Sequence, residues 1–129
     1  MRQLKQTAIL FIMSGMTVLL FGCNETYARK KQAMETRWEK STAMAKLPVV
    51  EEMINHSELE QAKETLNKCL SSIPESSQIH LLIGRIHFIE GRTDKARQSF
   101  QKSIELDPQL DKGWYFLGTL AVLEGNYAK

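Results

Sequence analysis

The apolar positions of the chain follow three rhythms. Residues 7–21 form a nearly continuous apolar run, interrupted by Ser14, Gly15 and Thr17. At 15 residues it is shorter than the roughly 20 that a membrane-crossing helix needs. Residues 27–47 contain no Gly or Pro and are rich in Ala, Lys, Met, Glu and Arg, which predicts a helix. Its apolar residues are sparse: Tyr27, Met34, Trp38 and Ala45, at spacings of 7, 4 and 7, draw a narrow stripe on one face. Trp38 is expected to pack on the segment that follows. From Val49 onward the apolar positions become dense and recur at helical spacing.

Punctuation divides this dense part into short helices. Pro48 is expected to open a helix over Val49–Asn55, and Ser57 with Glu60 has the form of a capping box ahead of a helix carrying Leu66, Cys69 and Leu70. Gly91 can end a further helix through a left-handed cap, Thr93 can cap the next, and Pro108 stops it. Gly125 repeats the position of Gly91. Beneath this punctuation lies an internal repeat. Its best copy, 77–110, sets the period and contains Ile83, Gly84, Ala96, Phe100 and Pro108, with His80 and His87 at two further offsets. One period later stand Trp114, Leu117, Gly118 and Ala121, and one period earlier Ala62, Leu66 and Pro74.

This register resembles the tetratricopeptide-repeat (TPR) family over Ala43–Lys129, with His80 and His87 standing where that family usually has Trp and Tyr. The resemblance implies an all-α helix-turn-helix solenoid of about two and a half repeats, at 43–76, 77–110 and an incomplete 111–129. Gly84 and Ala96 are then small because the two helices of one repeat cross closely there, with Ile83 and Phe100 filling the space beside the crossing. Val50 stands where the first copy would have its compact Gly, so irregular packing is expected there.

Composition, with 43% hydrophobic and 25% charged residues, is that of an ordinary globular domain, but the charges are unevenly placed. Only Arg2 and Lys5 precede Cys23, and all 15 Asp and Glu follow it. A cationic start, a short apolar run and a small residue before Cys23 form the plan of a secretory signal. Leu20, Phe21, Gly22 and Cys23 resemble the lipobox of bacterial lipoproteins. That resemblance implies removal of residues 1–22, acylation of Cys23 (palmitate), and a tether over 23–46 leading into a TPR region at 47–129. Asn24 after the cysteine implies the outer membrane, if the cell has one, with the protein facing the periplasm or exterior. The alternative is an uncleaved anchor with Cys23 as an incidental thiol. Arg29, Lys30 and Lys31 are read as a solvated charge run rather than a lipid-headgroup contact.

From Cys23 on, 15 Lys and Arg balance the 15 Asp and Glu, so no basic surface argues for nucleic acid. His80 and His87 are seven apart, without ligand partners at i and i+4, and are read as packing residues rather than metal ligands. Cys69 reads as a small buried hydrophobe. No phosphate loop or nucleophile-base set can be singled out, so neither catalysis nor a cofactor is expected. The TPR resemblance instead implies a protein or peptide partner in a groove lined by Leu81, Arg85, Phe88, Ile89, Tyr115 and Thr119. Such a groove favours an apolar or amphipathic segment, with Arg85 as a polar handle.

The helix over Trp114–Leu123 is apolar on nearly every side, where a terminal repeat needs a polar outer face. Truncation of a longer solenoid, self-association, or a helix borrowed from a partner would each cover it, and truncation is the favoured expectation. The resulting expectation of function is a lipid-anchored TPR adaptor in the cell envelope. The alternative is the N-terminal recognition part of a longer envelope enzyme or transport component.

Overall fold

The computed structural model describes the backbone from Arg2 to Gly125 and the side chains from Thr26 to Gly125. All secondary structure among the described residues is helical: α1 (Arg2–Asn55), α2 (Leu59–Ser72), α3 (Ser77–Ile89), α4 (Thr93–Leu106) and α5 (Asp111–Leu123). The chain divides into two compact units, Met1–Trp38 and Glu39–Lys129. The signal segment and Cys23 lie outside the residues whose side chains are described. Among the described residues, no helix is long and apolar enough to cross a membrane.

In the first unit the described side chains from 26 to 38 are all exposed, and Trp38, expected to pack, is 75% exposed. The apolar stripe is too sparse to build a core. The second unit is the expected all-α solenoid, and its first helix corrects one boundary. Pro48 does not open a helix but lies inside α1. A proline removes a backbone bond and crowds the preceding turn, yet Ala43, Leu47, Val50 and Ile54, spaced 4, 3 and 4, form one buried stripe running past it. Burying that stripe favours a continuous helix, while Pro48 sits on the exposed side. Val50 is fully buried, so the residue in place of Gly is absorbed into the core.

The turns between helices repeat as faithfully as the side chains. α1 ends with Ser57 at φ 65°, its N–H donating to the Ile54 carbonyl, and the Glu58 N–H donating to that of Met53. α3 ends with Gly91 at φ 73° and the same two bonds, from Gly91 to Phe88 and from Arg92 to His87. Gly125 at φ 69° stands at the end of α5, one period further on, its N–H donating to the Val122 carbonyl. The paired bonds at Ser57 and Gly91 are the Schellman cap. The expected capping box at Ser57 is therefore absent: Ser57 serves the end of α1, and α2 begins after Glu58 with no side-chain cap. Thr93 likewise falls inside α4 and caps nothing.

Two apolar clusters run through the solenoid. The first joins α1, α2 and α3 through Val50, Ala62, Leu66, Cys69, Ile79 and Ile86, with Ile83 partly buried against it. The second joins α3, α4 and α5 through Leu81, Ala96, Phe100 and Leu120, with Leu117 and Phe116 partly buried. The close crossing is real: a Cβ added to Gly84 would lie 2.5 Å from two carbons of the Phe100 ring. Ile83 does not fill the space beside that crossing but turns to the first cluster, one residue being enough to rotate a helical side chain onto another face. Gly113 does for α5 what the sequence did not reveal: its Cβ would fall 2.5 Å from Ile104.

Candidate functional site

α1, α3 and α5 are the first helices of successive repeats, and residues at equal offsets on them face the same way. Glu51, Arg85 and Thr119 are one period apart and form one such row. Arg85 reaches back across it: its Nη1 is 3.0 Å from Glu51 Oε1, and its Nη2 donates to Asn55 Oδ1 at 2.9 Å. Lys112 Nζ of α5 reaches the same Glu51 oxygen at 3.1 Å. One carboxylate thus accepts from cations of two different repeats. The Arg85 guanidinium also stands 5.9 Å from the Phe116 ring centroid, within cation-π range. Phe116 is stacked on Phe100 at 5.0 Å and meets Phe88 and Tyr115 edgewise or tilted.

This geometry rearranges the expected groove. Arg85 is present but engaged by Glu51 and Asn55, so it acts as part of a network rather than as a free handle. Leu81 is 1% exposed and offers no surface to a ligand, because its row on α3 is the one that receives α4. Phe88 is half-buried in the same cluster. Ile89 is 50% exposed beyond the polar cluster, and Tyr115 is 69% exposed. The Thr119 hydroxyl turns inward on its own helix, donating to the Tyr115 carbonyl at 2.9 Å. Glu51, Asn55 and Lys112 were missed as a cluster. Their signal was available, since Glu51 lies one period before Arg85.

A second ionic cluster surrounds Glu90, just after α3. Lys63 and Arg92 both pair with it, and His87 Nδ1 lies 3.6 Å from its Oε2. The Lys63 ammonium, bonded to Glu90 and helped by Arg92 and His87, holds this carboxyl below its ordinary value despite some desolvation. Glu60, foremost, and Glu90 in turn raise Lys63. Beside them Lys63, Leu66, Asn67, Ile83, Ile86, His87 and Arg92 line a cleft of about 220 Å³. The pair recurs: Arg97 and Glu124, each one period further on, are also joined.

The histidines are placed as packing or surface residues. His80 Nε2 lies 3.1 Å from the Pro74 carbonyl oxygen, and Trp114 Nε1 donates to the Pro108 carbonyl at 3.0 Å, the same bond one period later. His56 lies on the surface beside Glu52. Among the described residues no three His, Cys, Asp or Glu side chains are grouped to hold a metal. The Cys69 thiol is buried and donates weakly to the Ala43 carbonyl at 3.6 Å.

Helix lengths, caps and the ring-to-carbonyl bond all share one period. Residues 77–110 match the tetratricopeptide-repeat model. This TPR match covers α3, the Gly91 turn and α4. Over 101 residues the chain is also 27% identical to the probable biofilm formation methyltransferase WspC of Pseudomonas putida strain KT2440. The alignment takes in 78% of this chain but only 23% of that protein. TPR units are protein-interaction modules, and the chain carries one.

Proposed function

We infer that the chain is a non-catalytic TPR adaptor, held in a bacterial cell envelope by an acylated Cys23, which binds a peptide segment of another protein along α1, α3 and α5. The observation that carries the binding surface is the cluster of Glu51, Asn55, Arg85 and Lys112, which draws three repeats onto one face. Arg85 and Lys112 share a single carboxylate, so a peptide bearing an acidic side chain can take one of them without stranding the other. Ile89 supplies adjoining apolar surface. The preferred ligand is therefore an amphipathic segment with an acidic residue beside its apolar side chains.

The test is recovery of partners from membranes with tagged chains. A Lys112→Glu, Ile89→Asp variant, changed at two exposed positions, is expected to lose the partner that the parent recovers. Lys68→Glu, on the exposed outside of α2, is expected to retain it. Equal recovery by all three rejects this face. The anchor rests on the order of residues 2–23, and palmitate labelling that survives Cys23→Ala rejects it.

A second reading has a specific observation behind it. The alignment with WspC covers a minor part of a longer protein named as a methyltransferase, as it would if this region were the recognition arm of an envelope enzyme or transport component. An in-frame continuation of the coding sequence past Lys129, encoding a catalytic or transport domain, would favour that reading.

A further inference from the structure

The cleft beside Glu90 has walls of two kinds. Leu66, Ile83 and Ile86 give it an apolar side, while Lys63, His87 and Arg92 stand around them, and among the described residues no Asp or Glu lines it. Its volume of about 220 Å³ is that of roughly seven water molecules in the liquid. The two cations are not equivalent. Lys63 is held between Glu60 and Glu90, and its bond to Glu90 keeps that carboxyl ionised, so the lysine's charge is answered within the fold. Arg92 has one ion pair, to Glu90 at 3.4 Å, and its side chain is 52% exposed, which leaves most of its five N–H donors open. His87 turns its buried Nδ1 toward the buried Glu90 Oε2, so the rest of its ring borders the cleft. The repeat itself does not account for this set. One period on, the pair of Lys63 and Glu90 returns as Arg97 and Glu124, and the apolar side as Phe100, Leu117 and Leu120. His87 and Arg92, in contrast, become Ala121 and Asn126. The ion pair belongs to the scaffold, whereas His87 and Arg92 are particular to this cleft.

We propose that this cleft binds a small monocarboxylic acid with a compact, branched apolar body, its carboxylate on the Arg92 guanidinium and its body against Ile83 and the edges of Leu66 and Ile86. A planar guanidinium takes both oxygens of a carboxylate in parallel N–H···O bonds. The Lys63 ammonium has a third N–H beyond the two directed at Glu60 and Glu90, and can add to that grip. Apolar lining with a few polar groups that fix orientation is the usual composition of a small-molecule site. Other classes of ligand fit less well. An amine would meet Lys63 and Arg92 as like charges, and an inorganic anion would leave the apolar side uncovered. The cleft draws on α2, α3 and the turn after α3, and shares no residue with the peptide face of Glu51, Asn55, Arg85 and Lys112. The two sites therefore stand or fall separately.

The test titrates the full chain with 4-methylpentanoate, followed by calorimetry and by amide chemical shifts. Saturable one-to-one binding in the millimolar range is expected, with the shifts centred on α2, α3 and the Gly91 turn. The amide 4-methylpentanamide keeps the body without the charge, and acetate keeps the charge without the body. Each is expected to bind at least tenfold more weakly. Arg92→Gln, at an exposed position, is expected to weaken binding at least fivefold. Asn67→Phe, which sets a ring at the mouth from the exposed side of α2, is expected to cost as much. Lys102→Gln removes the same charge elsewhere on the surface and is expected to change nothing. Thermal melts check that each variant is folded. Absence of saturation would overturn the proposal, as would equal binding of the amide or of acetate, or parental affinity in Arg92→Gln. N-acetylleucine presents the same body and carboxylate as the end of a peptide. Tighter binding of N-acetylleucine than of 4-methylpentanoate would make a chain end the occupant and would overturn the proposal too.

Discussion

Ser57 adopts φ 65°, a conformation that costs an L-residue roughly 1–2 kcal/mol and glycine almost nothing. Part of that difference is offset by the greater freedom of an unfolded glycine. Ser57→Gly is therefore expected to stabilise the fold by about 0.5–1 kcal/mol, read as a raised midpoint in urea. Gly84 and Gly118 give a sharper contrast, because the same substitution at the same repeat offset should have opposite signs. Gly84→Ala forces its methyl into the Phe100 ring and should cost about 1–3 kcal/mol. Gly118→Ala meets open space and should gain up to about 1 kcal/mol from helix propensity. Gly84, Phe100 and Gly91 were legible in the sequence because their residue types fit few other roles. Ser57 was not, since serine before a glutamate reads first as a helix start. Leu81 was misplaced because sequence offset does not say which neighbouring helix covers a row.

Among the elements, α1 shows most clearly how packing overrides local preference. Proline in a helix interior is disfavoured by about 3 kcal/mol relative to alanine, and on that ground a boundary at Pro48 was the natural reading. The stripe from Ala43 to Ile54 is buried on both sides of it and keeps the helix whole. Pro48→Ala restores a backbone donor within that helix and is expected to raise stability by as much as about 3 kcal/mol. A denaturation midpoint that falls would mean that Pro48 holds a bend which the stripe needs. The other helices were recognisable from their apolar periodicity, and their ends came within a few residues. The capping assignments failed at Ser57 and Thr93, where side-chain chemistry suggested a cap that the backbone makes by itself.

At the scale of the solenoid, the repeats are riveted by a recurring ion pair, Lys63 with Glu90 and Arg97 with Glu124. Glu90 is held below its ordinary carboxylate value, chiefly by its bond to Lys63. A carboxyl so depressed contributes stability above its unfolded value, and that contribution is lost as pH falls through the folded one. Acid melting as the pH falls below the ordinary glutamate value of 4.5 should therefore be shallower in Glu90→Gln than in the parent. Parallel curves would show that the pair adds nothing to folding. This rivet was invisible in sequence because each member looks like one charge among many until the helices bring them together.

The bond from His80 to the Pro74 carbonyl recurs as Trp114 to Pro108, so residues 77–110 begin and end against the same kind of seam. A tandem duplication of that stretch would deliver a second His80 to the Pro108 carbonyl. It would leave Trp114 facing the duplicate's own proline, so that the ring-to-carbonyl bond is remade at each junction. Copy number is thus a dimension along which this sequence can vary while keeping that bond, provided the duplicate's Ile79, which would stand where Gly113 lies close to Ile104, is made small. Lengthening the chain by whole repeats should be tolerated where a gain or loss of a few residues would not.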